Sequence, residues 1–152
     1  MKILHLYISA GHNFFGHKGR APDDHEVSEV RSVRCLAGRG LEGDRFLDYK
    51  TNYKGQITFF AQEIYDQLCD SLGQHARSPE VLRRNVITSG ADLNELIGQR
   101  FEVQGVPFQG IEECRPCFWM DGAFSPGAEA WLRGRGGLRA HILADGALTT
   151  DP

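Results

Sequence analysis

The sequence has few cysteines, no long apolar run and little net charge, and each shortage narrows the class of protein. Four cysteines in 152 residues is far below the density of small secreted proteins that disulfides hold together. No segment approaches the roughly 20 consecutive apolar residues of a membrane-spanning helix, and the N-terminal stretch lacks a signal-peptide cleavage site. We therefore expect a cytoplasmic protein with reduced thiols and no membrane association.

The charge balance gives no support to a nucleic-acid partner. The formal net charge is −3, whereas nucleic-acid-binding proteins usually carry a basic excess or a basic face. Arginines do cluster beside glycines at two places in the chain. These are Arg83 and Arg84, and later Arg133, Arg135 and Arg139. A small anionic ligand fits such local clusters better than a polyanion does.

Residues 1–152 form one domain by length, long enough to bury a core without disulfides. The clearest helix is predicted in "AQEIYDQLCDSLG", where Ile64, Leu68 and Leu72 share a stripe and Gly73 stands at C′. A further helical turn is predicted in "SPEVLRR", with Ser78 as N-cap.

Alternating apolar residues predict several short strands. They lie in "KILHLYIS", "HEVSEVRSVRCL", "QITFF" and "NVITSG", in a hairpin over "QRFEVQGVPFQGIEE", and in a last strand pair over "LRAHILADGALTT". Many short strands with one clear helix and a few short ones indicate a mainly β fold of the α+β class. We expect a β-barrel-like or strongly bent mixed sheet.

Gly38, Gly40 and Gly43 match G-x-G-x-x-G, the dinucleotide fingerprint. That motif binds pyrophosphate only where a helix starts at its end, and the following "DRFLDYKTNYKG" has no helical apolar stripe. We predict instead a tight loop that ends in Asp44 and Arg45, for which a simple turn stabilised by the aspartate is the alternative.

The four cysteines fall into two groups. Cys35 and Cys69 are isolated in sequence and are predicted to be structural, since free cysteine often behaves as a small buried hydrophobe. Cys114 and Cys117 form C-x-x-C within "IEECRPCFWM", and Pro116 restricts the turn. Such a turn presents a thiolate.

Several interpretations of this turn remain open. A thioredoxin-like disulfide is disfavoured, because the following "FWMDGAFSPGAEAWL" breaks before it can form a long helix. A zinc site would need further ligands from His12, His17 and His25 in the early loop. A third reading is one soft thiolate that binds a soft metal or carries sulfur, with Arg115 favouring the ionised form. A packed turn with inert thiols is the fourth.

Two basic stretches supply candidate anion ligands. In "RGRGGLRAHI", glycines such as Gly137 permit an anion nest and arginines such as Arg139 can grip phosphate; a solvated basic loop is the alternative. In "RRNVITSGADL", Arg83 and Asn85 stand at the mouth of a strand, where capping or turn formation is the alternative.

Taken together, these segments resemble the MOSC family, named for the C-terminal part of molybdenum cofactor sulfurases. The matching segments occur in the family's order over nearly the whole chain. They are "GRGLEGDR", "QITFFAQE", "RRNVITSGADLNELIGQRF", "CRPC" and "RGGLRAHILADG". The resemblance implies a β-barrel-like fold that binds molybdenum cofactor (molybdopterin), whose dithiolene holds the metal and whose phosphate needs cationic or N–H partners.

The resemblance also implies roles for individual residues. Cys117 matches the cysteine that ligates molybdenum in members similar to the mitochondrial amidoxime-reducing component, so it is the expected metal ligand or persulfide site. The residues expected to contact the cofactor or shape its pocket are Asp44, Arg45, Arg83, Asn85, Arg115, Gly137 and Arg139. Two departures stand out: Arg84 replaces a glutamate found in many relatives, and the ending "GALTTDP" lacks the usual Gly-Asp and further strand.

Two function classes follow from this resemblance. As an enzyme, the protein would reduce N-hydroxylated or similar small substrates with electrons from a donor protein, because the sequence shows no flavin, haem or iron–sulfur signature. As a carrier, it would hold cofactor or sulfur and deliver it. The chain shows no desulfurase fold, so sulfur would come from a sulfur donor or from a separate desulfurase partner that binds pyridoxal phosphate.

Overall fold

The computed structural model describes residues 1–12 and 24–152, and the mainly β fold is confirmed there. Strands carry most of the regular structure. In chain order they are β1 (Lys2–Ile8), β2 (Ser28–Glu29), β3 (Ser32–Leu36), β4 (Gly40–Leu41), β5 (Ile57–Ala61), β6 (Val86–Ser89), β7 (Arg100–Val103), β8 (Val106–Glu113), β9 (Leu138–Ile142) and β10 (Gly146–Thr149).

The strands form two sheets. A seven-stranded sheet has the order β2-β1-β6-β5-β9-β8-β7 and curls into a half barrel, and a three-stranded sheet has the order β10-β3-β4. All pairings are antiparallel except that of β5 with β6. The parallel pair requires a crossover, which the main helix supplies.

The predicted helix is confirmed as α1 (Gln62–Leu72). It ends at Gly73, which adopts a left-handed conformation with φ 62°, as expected for a C′ glycine. Two one-turn helices follow the C-x-x-C turn, α2 (Trp119–Ala123) and α3 (Ala128–Leu132). Short 3₁₀ turns occupy Pro79–Leu82, where Ser78 is the N-cap as predicted, and Leu93–Leu96.

The prediction that the last two strands pair with each other is wrong. β9 lies between β5 and β8, whereas β10 joins β3 in the smaller sheet. The turn between them is fastened to a remote loop, since the Asp145 carboxylate accepts a hydrogen bond of 2.7 Å from the Ala37 amide. Leu148 on β10 is fully buried in the core between the sheets, and this burial favours the observed partner.

Strand β5 divides the core into two parts. Its residues alternate between faces, so Phe59 packs with Phe108 between the sheets and Phe60 packs with Leu68 under the helices. All five residues of β5 are buried, which fixes the strand at the centre of the fold. In the described part of the chain, no helix combines the length and apolar character needed to cross a membrane.

Candidate functional site

Loops from four parts of the chain converge on a cavity of about 350 Å³ at the start of β5. Five arginines line it, together with both thiols of the C-x-x-C turn, and we call these five the cavity arginines. The complete lining is Arg45, Phe46, Tyr53, Gly55, Thr58, Arg83, Arg84, Cys114, Arg115, Cys117 and Arg139. The structure therefore brings together five of the eight residues expected to form the site, Cys117 among them.

The two thiols of the turn differ in accessibility. Cys114 continues β8, and its amide donates a hydrogen bond of 2.8 Å to the Gly137 carbonyl. The residue is only 5% exposed. Cys117 is exposed, and its carbonyl accepts a 3.0 Å bond from the Met120 amide at the start of α2. The Cys117 sulfur thus faces the solvent side of the cavity, while the Cys114 sulfur belongs to the cavity wall.

Arg84 holds the C-x-x-C turn in place. Its guanidinium donates to the carbonyls of Gly136 at 3.0 Å, Leu82 at 3.0 Å and Cys114 at 2.9 Å, and the residue is only 8% exposed. Every hydrogen bond described for this side chain goes to a neutral carbonyl, so its positive charge is not cancelled by a carboxylate. The charge therefore adds to the potential of the cavity.

Arg45 forms a second buried cationic position. It pairs with Asp44 at 3.2 Å, donates to the Arg83 carbonyl at 3.2 Å and lies 4.7 Å from the centre of the Phe46 ring. Burial lowers the pKa of Arg45, and the charge of Arg84 adds to that effect against the opposing charge of Asp44. A bound anion would relieve this repulsion.

Arg83 is anchored by oxygen atoms of Ser9, Gly11 and His25. Its guanidinium donates to the Gly11 carbonyl at 2.7 Å, the Ser9 hydroxyl at 2.9 Å and the His25 carbonyl at 3.0 Å. Its backbone is left-handed with φ 56°, a conformation uncommon outside glycine. Burial, reinforced by the charge of Arg45, lowers the pKa of Arg83 to about 10.

Arg139 lies on β9 beside the buried thiol. Burial alone would lower its pKa, but charge interaction and a hydrogen bond with Cys114, together with Tyr53 and Glu112, raise the pKa of Arg139 overall. Its Nη1 is 3.4 Å from a carboxylate oxygen of Glu112. Arg139 thus places a guanidinium against the sulfur of Cys114.

Asp44 and Asn85 lie behind the cavity and do not line it. The Asn85 side-chain oxygen accepts from the Thr58 amide at 3.0 Å and hydroxyl at 2.9 Å, and its NH₂ donates to the Tyr7 carbonyl at 3.2 Å. Asp44 accepts from the Ser9 amide at 3.1 Å as well as from Arg45. Both residues support the lining from within the fold.

Gly137 does not line this cavity either, and it borders a second cavity at the N-terminus of α1 instead. Its backbone has φ +101°, and a Cβ built there would lie 2.3 Å from the Phe59 carbonyl oxygen. The neighbouring Gly136 amide donates to the Glu113 carboxylate at 3.1 Å. These glycines therefore bring β9 close to β5 and to the C-x-x-C turn. The Gly136 amide, one of the N–H groups expected to bind an anionic ligand, is already bonded to the Glu113 carboxylate.

Aromatic residues form part of the cavity wall. Phe46 and Tyr53 stack with ring centroids 5.2 Å apart, and Tyr49 meets both rings edge-on. His12 packs on Phe46 at 4.7 Å, and burial, with the charge of Arg45, lowers the pKa of His12. A planar ligand finds hydrophobic and π surface on this side of the cavity.

Sequence reasoning did not single out part of the lining. The polar segment that follows the glycine-rich motif predicts only a loop for Phe46 and Tyr53, and "QITFF" predicts only a short strand for Thr58. The available signal was the spacing of aromatics directly after Asp44 and Arg45 within a loop rich in glycine. Arg84 was noted as a departure from the family pattern, but its inward direction could not be read from the chain.

The zinc interpretation receives no support from the described residues. Within 1–12 and 24–152, no three His, Cys, Asp or Glu side chains are grouped so that they could hold a metal ion. His12 and His25 contact aromatic and backbone groups near Arg83. His17 lies outside the described residues, so any part it plays stays a prediction.

A second cavity, of about 480 Å³, lies at the N-terminus of α1. Its polar groups are largely paired with each other: Glu63 accepts from the Gly90 amide at 2.7 Å, and Asp92 accepts from the Asn94 amide at 2.9 Å. Arg135 lines this cavity and stacks on the Trp131 ring at 4.2 Å. The basic stretch "RGRGGLRAHI" is therefore divided between two cavities, since Arg135 faces this one and Arg139 faces the one that contains the thiols.

Comparison with known proteins gives one family. The model of the MOSC domain matches residues 41–148, which include β5 to β9 and all the cavity arginines. No curated protein matches the sequence significantly.

Solved structures share the fold at low sequence identity. The YuaD protein from Bacillus subtilis superposes with a TM-score of 0.77 at 20% identity, over 98% of this chain and 91% of that one. YiiM from Escherichia coli gives a TM-score of 0.67 at 17% identity, over 99% of this chain and 67% of that one. YiiM from Geobacillus stearothermophilus gives a TM-score of 0.68 at 11% identity, over 97% of this chain and 70% of that one.

Proposed function

This chain belongs to the MOSC domain family, and we propose that it binds molybdenum cofactor in the cavity of the five arginines, with Cys117 as the thiolate that faces the metal. One observation carries the proposal: an exposed cysteine opens onto a cavity whose charged lining is entirely arginine. A soft sulfur donor and a cationic wall are the two features that a dithiolene-bound metal with a phosphate tail requires.

The residues present fit this cofactor. A volume of about 350 Å³ falls within the range of roughly 300–1,000 Å³ that small-molecule sites occupy. Burial disfavours the charged forms of Arg45 and Arg83, and a neighbouring guanidinium adds to this effect in each case, Arg84 for Arg45 and Arg45 for Arg83. A phosphate bound beside them would therefore lower the energy of both. The stacked pair Phe46 and Tyr53 offers a face for a flat heterocycle.

Each group has a distinct role in this proposal. The cavity arginines hold the phosphate, and Phe46 and Tyr53 contact the pterin. The Thr58 hydroxyl donates a hydrogen bond to the Asn85 side-chain oxygen and keeps the floor of the cavity rigid. Cys117 supplies a thiolate to the metal. When bound, the molybdenum supplies two-electron redox chemistry and an acceptor for sulfur. Asp44 and Asn85 keep the arginines and the floor in position.

Two activities are consistent with this site. The carrier role, in which the protein receives sulfur and hands it to the cofactor, is favoured because two thiols line one cavity. In this role the sulfur donor is a small persulfide or a separate desulfurase that binds pyridoxal phosphate. The reductase role, with N-hydroxylated compounds as substrates and a donor protein for electrons, is the second candidate and is favoured by the exposure of Cys117.

Metal and pterin analysis tests cofactor binding. Protein purified from a cofactor-producing cell should contain molybdenum and pterin in equal amounts, stoichiometric with the chain. Cys117→Ala, which keeps the cavity arginines but lacks the thiolate, should purify with less molybdenum, whereas Cys69→Ala, which alters a buried thiol on α1, should retain the wild-type amount. Absence of molybdenum together with stoichiometric zinc would contradict the proposal.

Turnover separates the two activities. The loaded protein is supplied with a chemical electron donor and an amidoxime, and amidine formation is measured. Turnover that disappears in Cys117→Ala supports the reductase, and bound cofactor without turnover supports the carrier.

A further inference from the structure

We propose that Cys114 and Cys117 form a sulfur relay, in which exposed Cys117 accepts a sulfane sulfur and buried Cys114 receives it on the cavity wall beside Arg139. This inference rests on the carrier role proposed above. It assigns a function to Cys114, the second thiol of the turn. The relevant observation is the asymmetry of two cysteines on one turn that line the same cavity.

Accessibility sets the direction of the relay. A donor protein or small persulfide can reach Cys117, which is exposed. Cys114 is 5% exposed, and its backbone is held by Gly137 and Arg84 through bonds of 2.8 and 2.9 Å. An external donor is therefore expected to react at Cys117, and sulfur reaches Cys114 only from within the cavity.

The environment of Cys114 favours the receiving role. Arg139 hydrogen-bonds its sulfur, and the guanidinium of Arg45 also interacts electrostatically with it. Guanidinium groups stabilise a thiolate, which is the nucleophilic form, and they stabilise the anionic persulfide after transfer.

The chemistry balances without an added oxidant or reductant. Cys117 thiolate attacks the outer sulfur of a persulfide R–S–SH, which releases R–S⁻ and forms Cys117–S–SH. Cys114 thiolate then attacks the outer sulfur of Cys117–S–SH. The S–S bond at Cys117 breaks, a new S–S bond forms at Cys114, and the electron pair returns to Cys117 as thiolate.

Heavy-isotope sulfur in the outer position of glutathione persulfide tests the relay on protein that carries no cofactor. Samples are trapped with an alkylating agent over time and each cysteine is mapped by peptide mass spectrometry. The label should appear first on Cys117 and then on Cys114. In Cys117→Ser, labelling of Cys114 should fall by about tenfold or more. Cys35 and Cys69, both buried, serve as internal controls and should stay unlabelled.

A positioning variant separates transfer from simple accessibility. Arg139→Gln should slow the appearance of label on Cys114 about tenfold more than it slows the loading of Cys117, and Arg139→Lys should restore part of the transfer rate. Circular dichroism verifies that these variants are folded. In Cys114→Ser the label should remain on Cys117.

Three results would overturn the relay: label that stays on Cys117 in the wild type, equal labelling of Cys114 in Cys117→Ser, or a Cys114–Cys117 disulfide with release of sulfide. These outcomes are independent of molybdenum content. A protein that moves the label but binds no cofactor would refute the proposed function alone, and one that binds cofactor without moving the label would refute the relay alone.

Discussion

Arg84 gives this cavity a charge that the family pattern does not predict. Many relatives are expected to carry glutamate at this position, yet here a buried guanidinium bonds to three carbonyls and holds the C-x-x-C turn against β9. A glutamate could not donate to these carbonyls. Arg84 therefore adds positive charge to the cavity and fixes the turn in a way that a glutamate could not.

Replacing Arg84 should destabilise the protein. Arg84→Gln removes donors from the carbonyls of Gly136 and Cys114, and each buried group left unpaired costs about 1–3 kcal/mol. We expect the free energy of unfolding, measured by urea denaturation, to fall by roughly 2–4 kcal/mol. Arg133→Gln, at an exposed arginine, is the matched control and should change it by less than about 0.5 kcal/mol. Equal effects of the two substitutions would contradict the role assigned to Arg84.

The thiol of Cys35 makes stability depend on pH in the alkaline range. Burial raises the pKa of Cys35 from 9.0 to about 12. Between these values the unfolded chain loses the proton while the folded chain keeps it, so the free energy of unfolding falls as pH rises from about 9 to about 12. Below pH 9 both states are protonated and the contribution is constant.

Cys35→Ala tests this dependence. The variant should lose stability less steeply than the wild type across that window when urea unfolding is followed at several pH values. Val33→Ala, a truncation in the same strand β3, should lower stability at every pH and keep the wild-type slope. Parallel curves for the wild type and Cys35→Ala would show that the buried thiol does not cause the effect.

At the scale of elements, glycines at the start of β9 allow the close approach that builds the site. A side chain at Gly137 would meet the Phe59 carbonyl oxygen at 2.3 Å, and one at Gly136 would meet the Cys114 carbonyl oxygen at 2.4 Å. β9 therefore contacts β5 and the C-x-x-C turn backbone to backbone. This contact sets the position of Arg139, two residues further along the strand.

Gly137→Ala should disrupt this contact. The left-handed backbone and the overlap with Phe59 together are expected to lower the free energy of unfolding by roughly 3–5 kcal/mol. Gly122→Ala in α2 is the control, since a Cβ there meets no atom within 4 Å, and we expect a gain of about 0.4–1 kcal/mol from it. Thermal and urea unfolding measure both. A Gly137→Ala protein as stable as the wild type would contradict the assigned approach.

Local signals predicted the elements better than their partners. Helix α1, with its stripe and Gly73, and the hairpin of β7 and β8 depend on neighbouring residues, so the sequence predicts them correctly. The pairing of β10 with β3 depends on contacts between residues more than one hundred positions apart, which no periodicity contains. The strand character of Gly40–Leu41 was missed because glycine-rich segments usually form loops.

At the scale of the whole molecule, the order of weak motifs was more informative than any one of them. The family resemblance assigns five residues to the site that the structure places around one cavity. They are Arg45, Arg83, Arg115, Cys117 and Arg139. The resemblance does not predict that Asp44 and Asn85 lie behind that cavity, or that Gly137 borders the second cavity instead. The reason is physical, since a residue type beside a strand does not determine which side of the backbone its side chain occupies.

X-ray absorption at the molybdenum edge tests the central claim most directly, because it counts the sulfur atoms bound to the metal. Loaded wild-type protein should show one more sulfur neighbour than Cys117→Ala protein reconstituted with cofactor, since the cavity arginines would still hold the phosphate. Cys114→Ala should match the wild type. An unchanged sulfur count in Cys117→Ala, or a loss in Cys114→Ala instead, would contradict the account.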